Sequence, residues 1–159
     1  MFFAKKMLEN EHRGEYADVM ERAFYNTVLA GMQLDGKRFF YVNPLEVVPG
    51  ISGKAVTHRA VLPTRPQWYA CACCPPNVAR MVSSFGSYAY SENEDTFFID
   101  LYAGGTVKTE KGITLTCETD FPHGGTAKYT IKAKRKRRSL SAFRSWSEKS
   151  FADRKRRSG

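Results

Sequence analysis

Between Tyr16 and Val28 the apolar residues Tyr16, Val19, Met20, Ala23, Phe24 and Val28 recur at helical spacing, which predicts a helix over Glu15 to Ala30 with Gly31 as its stop. A shorter helix-compatible segment, Phe2 to Leu8, precedes it without a capping residue. Met32 to Val42 reads as two short strands around Asp35-Gly36, a dipeptide that favours a type I′ hairpin turn, and Pro44 ends the second strand. Residues 45 to 67 hold Pro49-Gly50, Gly53, Pro63 and Pro66 and predict a long irregular loop. Pro75 and Pro76 then open a helix whose apolar face is Val78, Met81, Val82, Phe85 and Ala89. Past Tyr90 the pattern changes to short β-like runs, Thr96 to Tyr102, Gly112 to Cys117 and Thr126 to Ile131. The elements therefore predict an α+β chain, helices first and strands second.

Charge changes this picture only at the C-terminus. The chain carries a formal +9, but Lys132 to Gly159 holds a net +10, so residues 1 to 131 are nearly neutral. This tail lacks strand or helix periodicity and reads as a solvated basic extension. Its nucleic-acid binding would be salt-sensitive and nonspecific, so no specific nucleic-acid partner is expected. The abrupt end of the β pattern near Lys134 also predicts that another frame of the coding DNA carries further strand-like sequence. No run reaches the roughly 18 apolar residues of a membrane span, and no N-terminal leader pattern is present. These features predict a cytoplasmic protein without a membrane partner.

Cysteine placement carries the sharpest chemistry. Cys71, Cys73 and Cys74 crowd together while Cys117 stands alone, unlike a secreted disulfide framework. Cys73 and Cys74 fall where a helix begins, and a helix N-terminus stabilises the thiolate, the form that attacks electrophiles and binds metal. Buried structural thiols are the plainer alternative for such residues. Glu21 lies at the edge of the apolar face of the Glu15–Ala30 helix, where an ordinary boundary carboxylate is the plainer reading. Tyr41 sits in the expected hairpin, where a packing role is ordinary. His12, His58 and His123 show no ligand spacing.

Taken in order, Glu15-Tyr16-Ala17-Asp18-Val19-Met20-Glu21-Arg22, Asn26, Leu34-Asp35-Gly36-Lys37, Tyr41-Val42-Asn43-Pro44-Leu45-Glu46, Trp68 and Cys71-Ala72-Cys73-Cys74-Pro75-Pro76-Asn77-Val78-Ala79-Arg80 resemble glycoside hydrolase family 127, the β-L-arabinofuranosidase family. The likeness runs from about Met1 to Ile131. It implies the last helices of an (α/α)6 barrel over residues 1–90, the first strands of a β-sandwich over 91–131, and an unmatched tail over 132–159. It further implies a retaining exo-glycosidase acting on a carbohydrate with terminal L-arabinofuranose. In that scheme Cys73 is the nucleophile, Cys73 and Cys74 are zinc ligands, and Glu21 and Tyr41 bind the sugar.

The resemblance also implies that the family's other two zinc ligands, a Glu and a Cys, and its acid/base carboxylate precede the segment matched here. The chain alone is therefore expected to bind zinc weakly, to expose apolar helix faces and to lack turnover. The alternative is a noncatalytic carbohydrate-binding or remnant protein.

Overall fold

The computed structural model describes residues 1–68, 73–94, 96–133 and 139–141. Among the described residues, helices α1 (Phe2–Asn10), α2 (Gly14–Ala23), α3 (Cys74–Ser83) and α4 (Phe85–Ala89) precede strands β1 (Tyr90–Glu92), β2 (Thr96–Ile99), β3 (Gly105–Lys108), β4 (Ile113–Thr119), β5 (Ala127–Ala133) and β6 (Ser139–Ser141). The chain is thus a mixed helix-and-strand structure, as its sequence pattern predicts. No helix among the described residues is long and apolar enough to cross a membrane.

The chain divides into two compact units, one of Met1 with Val19–Gly86 and one of Phe2–Asp18 with Ser87–Gly159. The α2 helix contributes Gly14–Asp18 to the second unit and Val19–Ala23 to the first; it is helical as expected but loosens after Ala23 into a π turn at Phe24–Val28 and a 3-10 turn at Leu29–Gly31. Wide π turns of this kind occur often at functional sites. The buried stripe of α2 differs from the expected one. Ala17, Met20 and Phe24 are buried, but so are Asp18 and Glu21, whereas Val19 is 46% exposed. Positions 17, 20, 21 and 24 share a helical face that includes Glu21, while Asp18 lies to its side and is passed over when a face is chosen from apolar residues alone.

The expected hairpin shrinks to a tight turn. Met32 and Phe39 form an isolated antiparallel bridge instead of two strands. The Gly36 N–H donates to Gln33 O at 2.9 Å, and Gln33 N–H donates to Arg38 O at 2.9 Å. Only Gly36 adopts a positive φ (70°), so the turn is not type I′, which needs both central residues there. Asp35 instead accepts the Lys37 N–H through Oδ1 at 2.9 Å, a local bond that stabilises this alternative.

The 45–67 segment is irregular as anticipated, apart from a 3-10 turn at Val56–His58. Arg65 holds part of it in place: its Nε and Nη2 both donate to Ala30 O, and its guanidinium lies 4.5 Å from the centre of the Phe40 ring. A cation at the C-terminal end of a helical segment meets carbonyls that lack helical partners, and stacking on Phe40 adds a cation–π contact.

In the second unit two three-stranded sheets form among the described residues, in the orders β1-β2-β6 and β3-β4-β5. Alternation drives their packing: Phe97 and Ile99 on β2 and Ile113, Leu115 and Cys117 on β4 are buried, with outward positions between them. Phe97, Ile99, Ile113 and Leu115 make one core drawn from both sheets, flanked by Tyr90, Tyr102, Val107 and Tyr129. β1, β3 and β6 were not anticipated. Two basic-tail residues, Lys132 and Ala133, complete β5, and Ser139–Ser141 pairs in parallel with β2. The rest of the tail, and with it the expectation of an unstructured extension or altered reading frame there, lies outside the described residues.

The aromatic margin of this core has a consequence for pH. Cys117 faces Tyr129 across the β4–β5 ladder, and the Tyr129 hydroxyl is buried against that thiol. Burial pushes the Tyr90 phenol up to about 12, with the Cys117 charge a lesser cause. Burial likewise raises the Cys117 thiol and, most strongly, the Tyr129 phenol.

All three groups are neutral when protonated, and folding raises each above its unfolded value. Their stabilising contribution is therefore intact below the unfolded values of 9.0 for the thiol and 10.0 for the phenols, and is lost as pH climbs through the folded values. Urea midpoints read by Cys117 exposure should hold steady from pH 7 to 8.5 and then fall continuously toward about pH 12. A midpoint that rises over that alkaline range would contradict the assignment.

Candidate functional site

α3 begins at Cys74 with Cys73 as its N-cap, placing both thiols at a helix start as the sequence predicts. Cys73 is exposed and Cys74 half-buried. An N-cap side chain ordinarily accepts a hydrogen bond from the N–H of the second or third helical residue. Here those residues are Pro75 and Pro76, which have no N–H to donate. Cys73 accordingly makes no side-chain cap bond and adopts helical backbone angles, φ −78° and ψ −27°. The two prolines therefore start the helix without engaging the sulfur.

The freed sulfur lies 3.7 Å from Cys74 Sγ. The Cys74 thiol is directed at Tyr41 O at 3.8 Å, so the contact with Tyr41 is made by its main chain. Nearby, Asn43 Nδ2 donates to Thr27 O at 3.3 Å, fastening this stretch to the π turn after α2. Phe24 and Phe85 pack with ring centres 4.5 Å apart, joining the end of α2 to the residue that follows the α3 cap. The Tyr41 side chain is 46% exposed, while Glu21 is buried on α2 in the same compact unit. Of the residues singled out by sequence, the structure brings Cys73, Cys74 and the Tyr41 backbone into contact, with Glu21 in that unit. Cys71 lies outside the described residues.

The fit to zinc can be tested on the sulfur spacing. Two thiolates bound at about 2.3 Å to one tetrahedral zinc stand about 3.8 Å apart. The 3.7 Å between the two sulfurs is compatible with that separation. Cys73 and Cys74 therefore suit half of a tetrahedral zinc site. Among the described residues no group of three or more His, Cys, Asp or Glu is placed to hold a metal ion.

Two further features were not assigned from sequence. Asn77 and Arg80 form a polar chain beside the cysteines, with Asn77 Nδ2 donating to Cys73 O at 2.9 Å and Arg80 Nη2 donating to Asn77 Oδ1 at 3.0 Å. The i, i+3 and i+4 spacings from Cys73 and Asn77 carried that signal. In the second unit, His12 Nε2 lies 2.9 Å from Asp100 Oδ1, and the imidazole stacks on Phe98. No sequence spacing reveals a contact between residues so far apart.

Comparison with known proteins places these elements in context. Residues 1–87 match the model for the β-L-arabinofuranosidase, GH127 catalytic domain. The chain is 39% identical over 131 residues to a non-reducing end β-L-arabinofuranosidase of Bifidobacterium longum subsp. longum, covering 81% of this chain and 20% of that protein. Its fold is similar to a crystal structure of a GH127 β-L-arabinofuranosidase from Geobacillus stearothermophilus T6, with TM-score 0.73 and 45% identity over 84% of this chain and 21% of that one. A second solved GH127 β-arabinofuranosidase gives TM-score 0.68 and 32% identity, covering 82% of this chain and 19% of that one. The chain thus spans about a fifth of the length of these relatives.

Proposed function

The chain belongs to the GH127 β-L-arabinofuranosidase catalytic-domain family, and from that premise we propose that it carries the nucleophile side of a retaining glycosidase site, with Cys73 as the attacking residue. The observation that carries this reading is the exposed Cys73 sulfur, released from capping and set 3.7 Å from Cys74.

In the proposed first step the Cys73 thiolate attacks the anomeric carbon. The C–S bond forms as the bond to the leaving oxygen breaks, and that oxygen takes its proton from a general acid. Water then attacks the same carbon, giving its proton to the conjugate base of that acid, and displaces the sulfur as thiolate, so two inversions return the original configuration. Glu21 and Tyr41 are proposed to hydrogen-bond the sugar. Cys73 and Cys74 would hold zinc, which when bound supplies positive charge that keeps the sulfurs deprotonated. The proposed substrate is a glycan with terminal L-arabinofuranose. In this reading, residues 1–90 form the end of an (α/α)6 barrel and 91–131 the beginning of a β-sandwich.

The general acid of this scheme is not among the residues assigned above, and positioned proton transfer contributes about 10² to 10⁴-fold. Ordinary aryl glycosides should therefore turn over negligibly on this chain. A 2,4-dinitrophenyl β-L-arabinofuranoside removes that dependence, because dinitrophenolate departs without a proton. With Zn²⁺ present, intact-mass and peptide analysis is expected to find one anhydropentose on Cys73. Dinitrophenolate released only at the buffer rate, with Cys73 unlabelled, would reject the proposal.

A further inference from the structure

We propose that Asn77, braced by Arg80, is a positioning residue that holds Cys73 and Cys74 at the spacing a metal requires; this rests on the metal-binding reading of those two thiols. A helix start normally gains definition from its N-cap side chain, which closes the first turn. At α3 that device is absent, since Pro75 and Pro76 have no N–H and Cys73 makes no cap bond. The arrangement frees the sulfur and leaves the first turn to main-chain hydrogen bonds alone, without the added restraint of a side-chain cap.

Asn77 supplies a restraint from one turn further along. Its amide nitrogen donates to Cys73 O at 2.9 Å, while its amide oxygen accepts from Arg80 Nη2 at 3.0 Å. Because the Arg80 bond occupies the oxygen, it fixes which end of the amide faces Cys73. A reversed amide would set its oxygen against the Cys73 carbonyl and repel it. The Cys73 carbonyl belongs to the peptide that joins the two cysteines, so its orientation helps set both Cα–Cβ directions and the 3.7 Å between the sulfurs. Asn77 touches neither sulfur in this scheme and acts only through the peptide.

Cobalt(II) gives the test, because thiolate–cobalt charge transfer absorbs in the near ultraviolet and reports sulfur coordination without enzyme activity. Titrations use the whole chain, reduced and anaerobic, with Cys71→Ser to remove the neighbouring thiol. The reference chain should develop the band, and Cys73→Ala or Cys74→Ala should abolish it. Asn77→Ala is expected to need about tenfold more cobalt for half the signal, one broken charge-neutral hydrogen bond being of that order.

Asn77→Asp keeps an acceptor for Arg80 but loses the donor to Cys73, so it should remain as weak as Asn77→Ala. Asn77→Gln, which keeps both functions, should recover most of the affinity. Arg80→Gln acts on the far side of the amide and should weaken binding about threefold, a partial loss of the same interaction. It serves as the second variant if Asn77→Ala lowers the helical circular dichroism.

Equal cobalt affinity in the reference, Asn77→Ala and Arg80→Gln chains would overturn the positioning role while leaving the metal reading intact. A reference chain without any cysteine-dependent band would overturn both.

Discussion

Replacing Cys73 with alanine is expected to abolish pentose transfer from the dinitrophenyl glycoside, reducing labelling to background while leaving the fold in place. The expectation follows from the side chain's isolation: Cys73 is exposed, makes no cap bond and lies outside the buried core, so its sulfur has little structural work. Cys73→Ser should be almost as inactive, because a serine hydroxyl is scarcely ionised at neutral pH and no base has been assigned beside it. Cys74→Ala should behave differently. It leaves the attacking sulfur but removes its neighbour at 3.7 Å, so labelling should fall about tenfold or more and lose its dependence on zinc. Mass spectrometry of the three variants, with helical circular dichroism as a measure of intact folding, separates the roles. Label that survives Cys73→Ala and moves to Cys74 would assign the nucleophile to the wrong member of the pair.

The difference between Cys73 and Cys74 also shows what local sequence can reveal. Paired prolines followed by apolar residues at helical spacing define the start of α3 within a few positions, so the thiols' place at a helix end was legible without coordinates. The strong strands β4 and β5 announced themselves through β-rich composition, but β3 is mostly exposed and carries no alternation to detect. β6 depends on β2, distant in sequence, for its pairing. On the site side, the contact between Cys74 and Tyr41 uses a carbonyl, a group every residue has. A side-chain motif cannot disclose it. On α2 the periodicity placed Glu21 at the edge of the apolar face, but the burial of Asp18 was hidden, because hydrophobic periodicity assigns carboxyl groups to water.

In the second unit, His12→Ala is expected to destabilise more than Asp100→Ala, although Asp100 is the more buried partner. The His12 side chain is 31% exposed and that of Asp100 only 2%. Truncating His12 removes the 2.9 Å contact to Asp100 Oδ1 and the ring stack on Phe98 at 3.6 Å. The carboxyl group then stays in the interior, with Ser91 Oγ still donating to Oδ2 at 2.7 Å but with Oδ1 deprived of its partner. Because the imidazole is charged only when protonated, the contact counts as a hydrogen bond to a buried carboxyl group, and its loss costs about 1.5–3 kcal/mol. With the ring stack on Phe98 lost as well, the present case falls near the upper end, about 3 kcal/mol.

Asp100→Ala removes the costly group itself. The abandoned His12 and Ser91 side chains are only partly buried and can bond to water, so the cost should be about 1–2 kcal/mol. The double variant should then be more stable than His12→Ala alone, a coupling of about 1–3 kcal/mol. Urea denaturation followed by alkylation of Cys117, which is buried in the same unit, reads this comparison directly. Additive single losses would mean that His12 and Asp100 stabilise the unit independently, and that removing one does not strand the other.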